Sequence, residues 1–134
     1  MKLAHVTATA TDESGYPVAI TAGAHRLRAD ERAVLGGRDT GPAPFELLLS
    51  ALVACTAITL RMYAQRKHWP LETVHVTADL TDEEPGQRIT RVLRLDGALG
   101  DDQLARLLDI AERTPVTKTL RAGVPIETRL AGQR

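Results

Sequence analysis

Short alternating stretches of apolar and polar residues flank one long apolar block. From Lys2 to Thr9, Leu3, His5, Thr7 and Thr9 alternate with Ala4, Val6 and Ala8, the period of a strand. Asp12-Glu13-Ser14-Gly15 reads as a turn, and an extended pattern resumes from Pro17 to Ala22. Gly23 punctuates it, and His25 to Ala29 completes an antiparallel meander.

Gly36-Gly37-Arg38-Asp39-Thr40-Gly41-Pro42 is a loop by composition. Pro44 suits the first turn of a helix, where its missing N–H costs nothing, and Glu46 favours the positive helix end. Between Phe45 and Tyr63 there is no glycine or proline, and apolar residues occupy nearly every face. Such a helix belongs at the centre of a structure. Arg66-Lys67-His68 closes it with positive charge and Pro70 ends it.

Glu72 to Leu80 carries Val74, Val76, Ala78 and Leu80 on one face. After a turn at Asp82 to Gly86, Gln87 to Asp96 carries Ile89, Leu93 and Leu95 on one face, so the pair reads as a hairpin. Asp101 or Asp102 is expected to cap a second helix bearing Leu104, Leu107, Leu108 and Ala111. Thr114-Pro115 then reads as cap and first residue of a short helix, Val116 to Leu120. Gly123 ends that helix, and Pro125 to Leu130 is expected as a final strand. The pattern predicts an α+β fold in a single domain, residues 1–134, with antiparallel sheets around a central apolar helix.

Composition narrows the picture. The chain is 43% hydrophobic but only 3% aromatic, so the core must be built from Leu, Val, Ile and Ala. Seventeen basic residues balance 17 acidic ones, which gives no electrostatic reason to expect nucleic acid or an anionic membrane as partner. The N-terminus lacks the apolar core of a signal peptide. The apolar run Phe45 to Leu60 falls short of the roughly 20 residues that span a bilayer. A soluble cytoplasmic protein is expected, and the single cysteine fits a reducing compartment. His5, His25, His68 and His75 show no ligand spacing, so neither a metal nor a cofactor is expected.

Cys55 is the only thiol. On the residues alone, a cysteine inside an apolar helix reads as a small core residue. A reactive thiolate would need a cation delivered by tertiary structure, and Arg26, Arg28 and Arg38 are the candidates outside the helix.

The stretch from Gly36 through Pro44 to Leu49, followed by Ala54-Cys55, resembles the glycine-rich loop, proline and cysteine-bearing helix of the OsmC/Ohr family (osmotically induced protein C, organic hydroperoxide resistance). Thr114-Pro115-Val116-Thr117-Lys118-Thr119-Leu120 resembles that family's second motif, and the order of elements agrees along nearly the whole chain. The resemblance implies an intertwined homodimer that reduces organic hydroperoxides, with Cys55 as nucleophile and an external thiol as reductant. Three positions depart from the family's pattern. Thr114 stands where the family carries its resolving cysteine. Phe45 stands where the family has a glutamate, and Glu46 follows it, roughly half a turn out of phase with Cys55. The family's arginine has no counterpart in the acidic segment Asp12-Glu13, which leaves Arg26 or Arg28 as the substitute.

Two functions follow as expectations. One is a one-cysteine hydroperoxide reductase using Cys55, with Arg26 or Arg28 and Glu46 in support. The other is a non-catalytic homodimer that binds a small apolar ligand between its subunits. Both require a second copy to cover the apolar helix. Static light scattering is expected to report a dimer at micromolar concentration, and a monomer there would overturn the expectation.

Overall fold

A computed structural model describes residues 1–132. Among these residues the fold is α+β, with two antiparallel sheets and three α-helices. The chain gathers into two compact units, Met1–Ser50 and a second from Ala51 onward.

In the first unit, β1 (Val6–Ala10), β2 (Val18–Ala22) and β3 (His25–Ala29) form the expected meander in the order β1-β2-β3. The first strand begins four residues later than the alternation suggested, at Val6, because β2 offers partners only from Val6↔Ala22 to Ala10↔Val18. Gly23, at φ 60°, makes the tight turn between β2 and β3, whose ends pair Ala22↔His25.

The glycine-rich loop closes around Asp30, which is 3% exposed. Its carboxylate accepts the Thr40 hydroxyl at 2.6 Å and the N–H groups of Glu31 at 2.7 Å, Tyr16 at 3.0 Å, Thr40 at 3.2 Å and Arg38 at 3.3 Å. Two glycines are needed for the backbone to approach this closely. A Cβ at Gly37 would stand 1.9 Å from the Glu31 carbonyl oxygen, and one at Gly41 would stand 2.4 Å from that of Arg28.

α1 (Pro44–Lys67) spans 24 residues. It is longer than the apolar run suggested, and by length and composition alone it is sufficient to cross a membrane. Here Leu52, Thr56, Leu60 and Ala64 form a buried stripe along it at i, i+4 spacing. Its C-terminus is closed by a Schellman arrangement. His68 takes φ 57°, its N–H donates to the Gln65 carbonyl at 3.2 Å, and the Trp69 N–H donates to the Ala64 carbonyl at 2.9 Å.

β4 (Leu71–Glu83) and β5 (Gly86–Gly97) pair over nearly their whole length. The turn is tighter than Asp82 to Gly86, since Glu83 already pairs with Gly86. The inward face matches the alternation: Val74, Val76, Ala78 and Leu80 oppose Leu95, Leu93, Arg91 and Ile89. Leu60, Leu107 and Ala111 form the buried core of this unit, with Tyr63, Trp69, Val74, Leu93, Leu95, Leu99 and Ile110 packed on it.

α2 (Asp101–Ala111) and α3 (Pro115–Ala122) fall near their expected places, with three corrections. Gly100, not an aspartate, is the N-cap of α2, and its N–H donates to Gln103 Oε1 at 2.8 Å. Asp101 and Asp102 lie in the first turn, where they face the helix dipole instead. Leu108 is exposed, and Ile110 packs on the core in its stead, because the core-facing arc is centred on Leu107 and Ala111. Pro125 to Leu130 is not a strand. A strand needs a hydrogen-bonded neighbour, and among the described residues this segment pairs with no strand. Its apolar residues Ile126 and Leu130 are exposed.

Asp30 gives the fold a defined acid response. The Thr40 hydroxyl, then the N–H groups of Glu31, Thr40 and Tyr16, hold its carboxyl well below the usual carboxylate range against the opposing effect of burial. A depressed folded-state value contributes stability above the unfolded value of about 3.9, lost as pH falls through the folded one. Asp30→Asn is therefore expected to lower the thermal midpoint at neutral pH, with the gap from wild type narrowing below about pH 4. Parallel melting curves across that range would refute the assignment.

Candidate active site around Cys55 and the Arg91 cluster

Helical phase decides what Cys55 and its neighbour Thr56 can do. Thr56 lies on the buried stripe of α1 and is fully buried. Cys55, about 100° around the helix, is half-buried. Ala51, Ile58 and Met62, at helical spacing from it, are exposed. The thiol therefore sits on an apolar flank of α1 and outside the packed core.

Thr56 is hydroxylic at a core position because of a charge that faces it. Arg91 lies on the inward face of β5 between Ile89 and Leu93, and its side chain is only 10% exposed. Desolvating a guanidinium costs several kcal/mol unless its N–H groups find acceptors. Nη1 donates to Thr56 Oγ1 and to Thr117 Oγ1, both at 2.9 Å. Nη2 donates to Glu112 Oε2 at 3.1 Å. The Thr56 hydroxyl spends its own proton on the Leu52 carbonyl at 2.7 Å, which leaves its oxygen free to accept from Arg91.

Glu112 is shared. Arg121 donates to its Oε1 at 2.7 Å and to its backbone carbonyl at 2.9 Å. The hydrogen bond from Arg121, aided by its charge and by Arg91, holds the Glu112 carboxyl below its ordinary range against partial burial. Two arginines thus share one carboxylate.

Thr114 occupies the N-cap of α3 with extended φ and ψ, but its hydroxyl makes no capping bond. It lies 2.6 Å from Thr117 Oγ1 instead, and both residues are buried. A hydroxyl chain therefore runs from Thr114 through Thr117 to Arg91 and Thr56. Thr114 is thus a node in the polar network that ties α3 and α1 to the hairpin.

The other candidates belong to the first unit. Glu46 accepts the Ala43 N–H through Oε1 at 2.8 Å, so its carboxylate closes the start of α1. Arg26 and Arg28 are exposed on β3, and Arg28 Nε donates to Thr40 Oγ1 at 3.1 Å. Arg91, Thr117, Glu112 and Arg121 were not singled out from the sequence. One signal was present: at period two, Arg91 interrupts the apolar face made by Ile89, Leu93 and Leu95. An ionised residue on such a face needs partners from whatever packs on it.

Arg91→Met should lower stability by about 1–3 kcal/mol, the cost of leaving buried acceptors unpaired. Thr56→Val should cost less and in the same direction. Urea unfolding at unchanged m-value measures both, and wild-type midpoints would refute the network's structural weight.

The family of OsmC-like proteins matches this chain over residues 37–129. No curated protein matches the chain. Among solved structures, an OsmC-like protein from Mycoplasma pneumoniae is 20% identical at a TM-score of 0.75, with 90% of this chain and 88% of that one covered. An organic hydroperoxide resistance protein OsmC from Legionella pneumophila is 24% identical at a TM-score of 0.65, covering 90% and 92%. The organic hydroperoxide resistance protein OhrB of Bacillus subtilis is 22% identical at 0.61, covering 90% and 91%. The family match and these folds agree: this chain belongs to the OsmC-like family.

Proposed function

We propose that this OsmC-like protein is a one-cysteine organic hydroperoxide reductase, with Cys55 as the nucleophile. The observation that carries the reading is the place of Cys55 on the half-buried apolar flank of α1, while Thr56 takes the core position. A core cysteine would have been inert. An apolar flank suits the organic part of a hydroperoxide. The hydroperoxide-resistance proteins of Legionella pneumophila and Bacillus subtilis share the fold.

The chemistry proceeds in three steps. The Cys55 thiolate attacks one peroxide oxygen, forming an S–O bond as the O–O bond breaks, and the alkoxide leaves as the alcohol after taking a proton. An external thiol attacks the sulfenic sulfur, forming a mixed disulfide and releasing water. A second external thiol displaces Cys55 and leaves as the oxidised disulfide. Thr114 cannot take the second step, so turnover depends on thiols from outside the chain.

In this reading residues 1–134 form one domain, two copies make a homodimer, and the protein works in the reducing cytoplasm. The exposed apolar residues of the sheet and tail, such as Val6, Leu27, Ile126 and Leu130, suit an interface with a second copy. The activating cation is Arg26 or Arg28, and Glu46 is the carboxylate available to orient it. The alternative is a non-catalytic homodimer binding a small apolar ligand. Thr114, a hydrogen-bond node that carries no thiol, favours it.

The alkylation rate of Cys55 in the folded protein separates the two. Rapid alkylation without unfolding is expected, with dimedone trapping of a sulfenic acid after peroxide treatment. Cys55→Ser should abolish thiol-dependent peroxide consumption. A thiol that reacts only on unfolding would overturn the reductase and leave the non-catalytic dimer.

A further inference from the structure

Beyond Cys55, the second unit carries a cleft of about 290 Å³. Its apolar wall is made by Met62 and Tyr63 of α1 and Ile110 of α2. Its rim carries Arg66, Arg113 and Lys118, one cation from each of three segments. Thr59 completes the lining, and no acidic residue does so. The volume is at the lower end of small-molecule sites, typically about 300–1,000 Å³.

The charge here is lopsided. The whole chain is neutral, 17 against 17. Around Tyr63, however, Arg66, Arg113 and Lys118 share the cleft, while Lys67 and the Arg106 guanidinium each lie 5.7 Å from the ring centroid. One carboxylate, Asp109, serves Arg106 and Arg113 together. Among the described residues, neither Arg66 nor Lys118 makes an ion pair. The field also registers on Tyr63. A hydrogen bond from Arg106, with the charges of Arg106, Lys67 and Arg113, lowers its phenol from the ordinary range.

Like charges lining one cleft repel one another unless an anion joins them. We infer that the cleft is a binding site for a small carboxylate with a short apolar body, its headgroup held by Arg66 and Lys118 and its chain laid on Met62, Ile110 and Tyr63. A neutral apolar ligand would leave the cations uncompensated. A compact inorganic anion would leave the apolar wall unused. Thr59 and Met62 stand four and seven residues beyond Cys55 on the same face of α1, so the cleft continues the flank that carries the thiol, but carboxylate binding there does not require the thiol itself.

The test uses octanoate and its neutral counterpart 1-octanol, titrated by calorimetry into the full-length Cys55→Ser protein, so that the thiol plays no part. Trp69, the single tryptophan, gives a second readout, because Tyr63 packs edge-on against it at 5.5 Å between ring centroids. Octanoate should bind about tenfold more tightly than octanol. The double variant Arg66→Gln, Lys118→Gln should bring octanoate down to the octanol affinity and leave octanol binding unchanged. Equal affinities for the two ligands in the unsubstituted cleft, absence of binding by both, or undiminished octanoate binding by the double variant would each overturn the proposal.

Discussion

The guanidinium of Arg91 sets the terms for everything that packs on the inner face of the hairpin. It sits on an otherwise apolar strand face with its side chain 10% exposed, and water cannot satisfy it there. The neighbouring helices supply the acceptors: Thr56 from α1, Thr117 from α3, and Glu112 just beyond α2. Each of these fixes a helical phase. With Thr56 turned inward, Cys55 must lie about 100° away, on the flank. The exposure of the thiol is thus a consequence of where the arginine finds its partners.

A charge of the opposite sign organises the other unit. Asp30 gathers four N–H groups and one hydroxyl from residues spread between Tyr16 and Thr40. The glycines of the loop matter because these bonds form only if backbone meets backbone without a Cβ between, as at Gly37 against Glu31. Composition marked this stretch as a loop. The reason for its glycines became visible only with the carboxylate at its centre, because Asp30 is remote in sequence from Tyr16 and Thr40.

Periodicity made most of the fold legible. Alternation located the meander and the inward face of the hairpin, and the apolar block located α1. These signals are local, and local packing preserved them. The misplaced features depend on distant partners. Pro125 to Leu130 has the composition of a strand, but no neighbouring strand pairs with it. The cap of α2 moved to Gly100, whose N–H is held by the Gln103 side chain from the third helical position. At the candidate site, motif order drew attention to Cys55 and Thr114. Arg91 was not, since a charged residue within an alternating strand reads as solvent-facing until its period is compared with its neighbours.

Thr114 shows how one residue joins the architecture to the proposed chemistry. A thiol is a weak hydrogen-bond donor and a weak acceptor. Cysteine there would give Thr117, and through it Arg91, a poorer partner than the hydroxyl now 2.6 Å away. The hydroxyl strengthens the network that pins α3 and α1 to the hairpin, but it removes the means to resolve an oxidised Cys55 within the chain. On the proposed reading the two effects fit together. A site that must be reset from outside requires its nucleophile where another thiol can reach it, and the network that Thr114 reinforces is the one that turns Thr56 inward and leaves Cys55 on the flank.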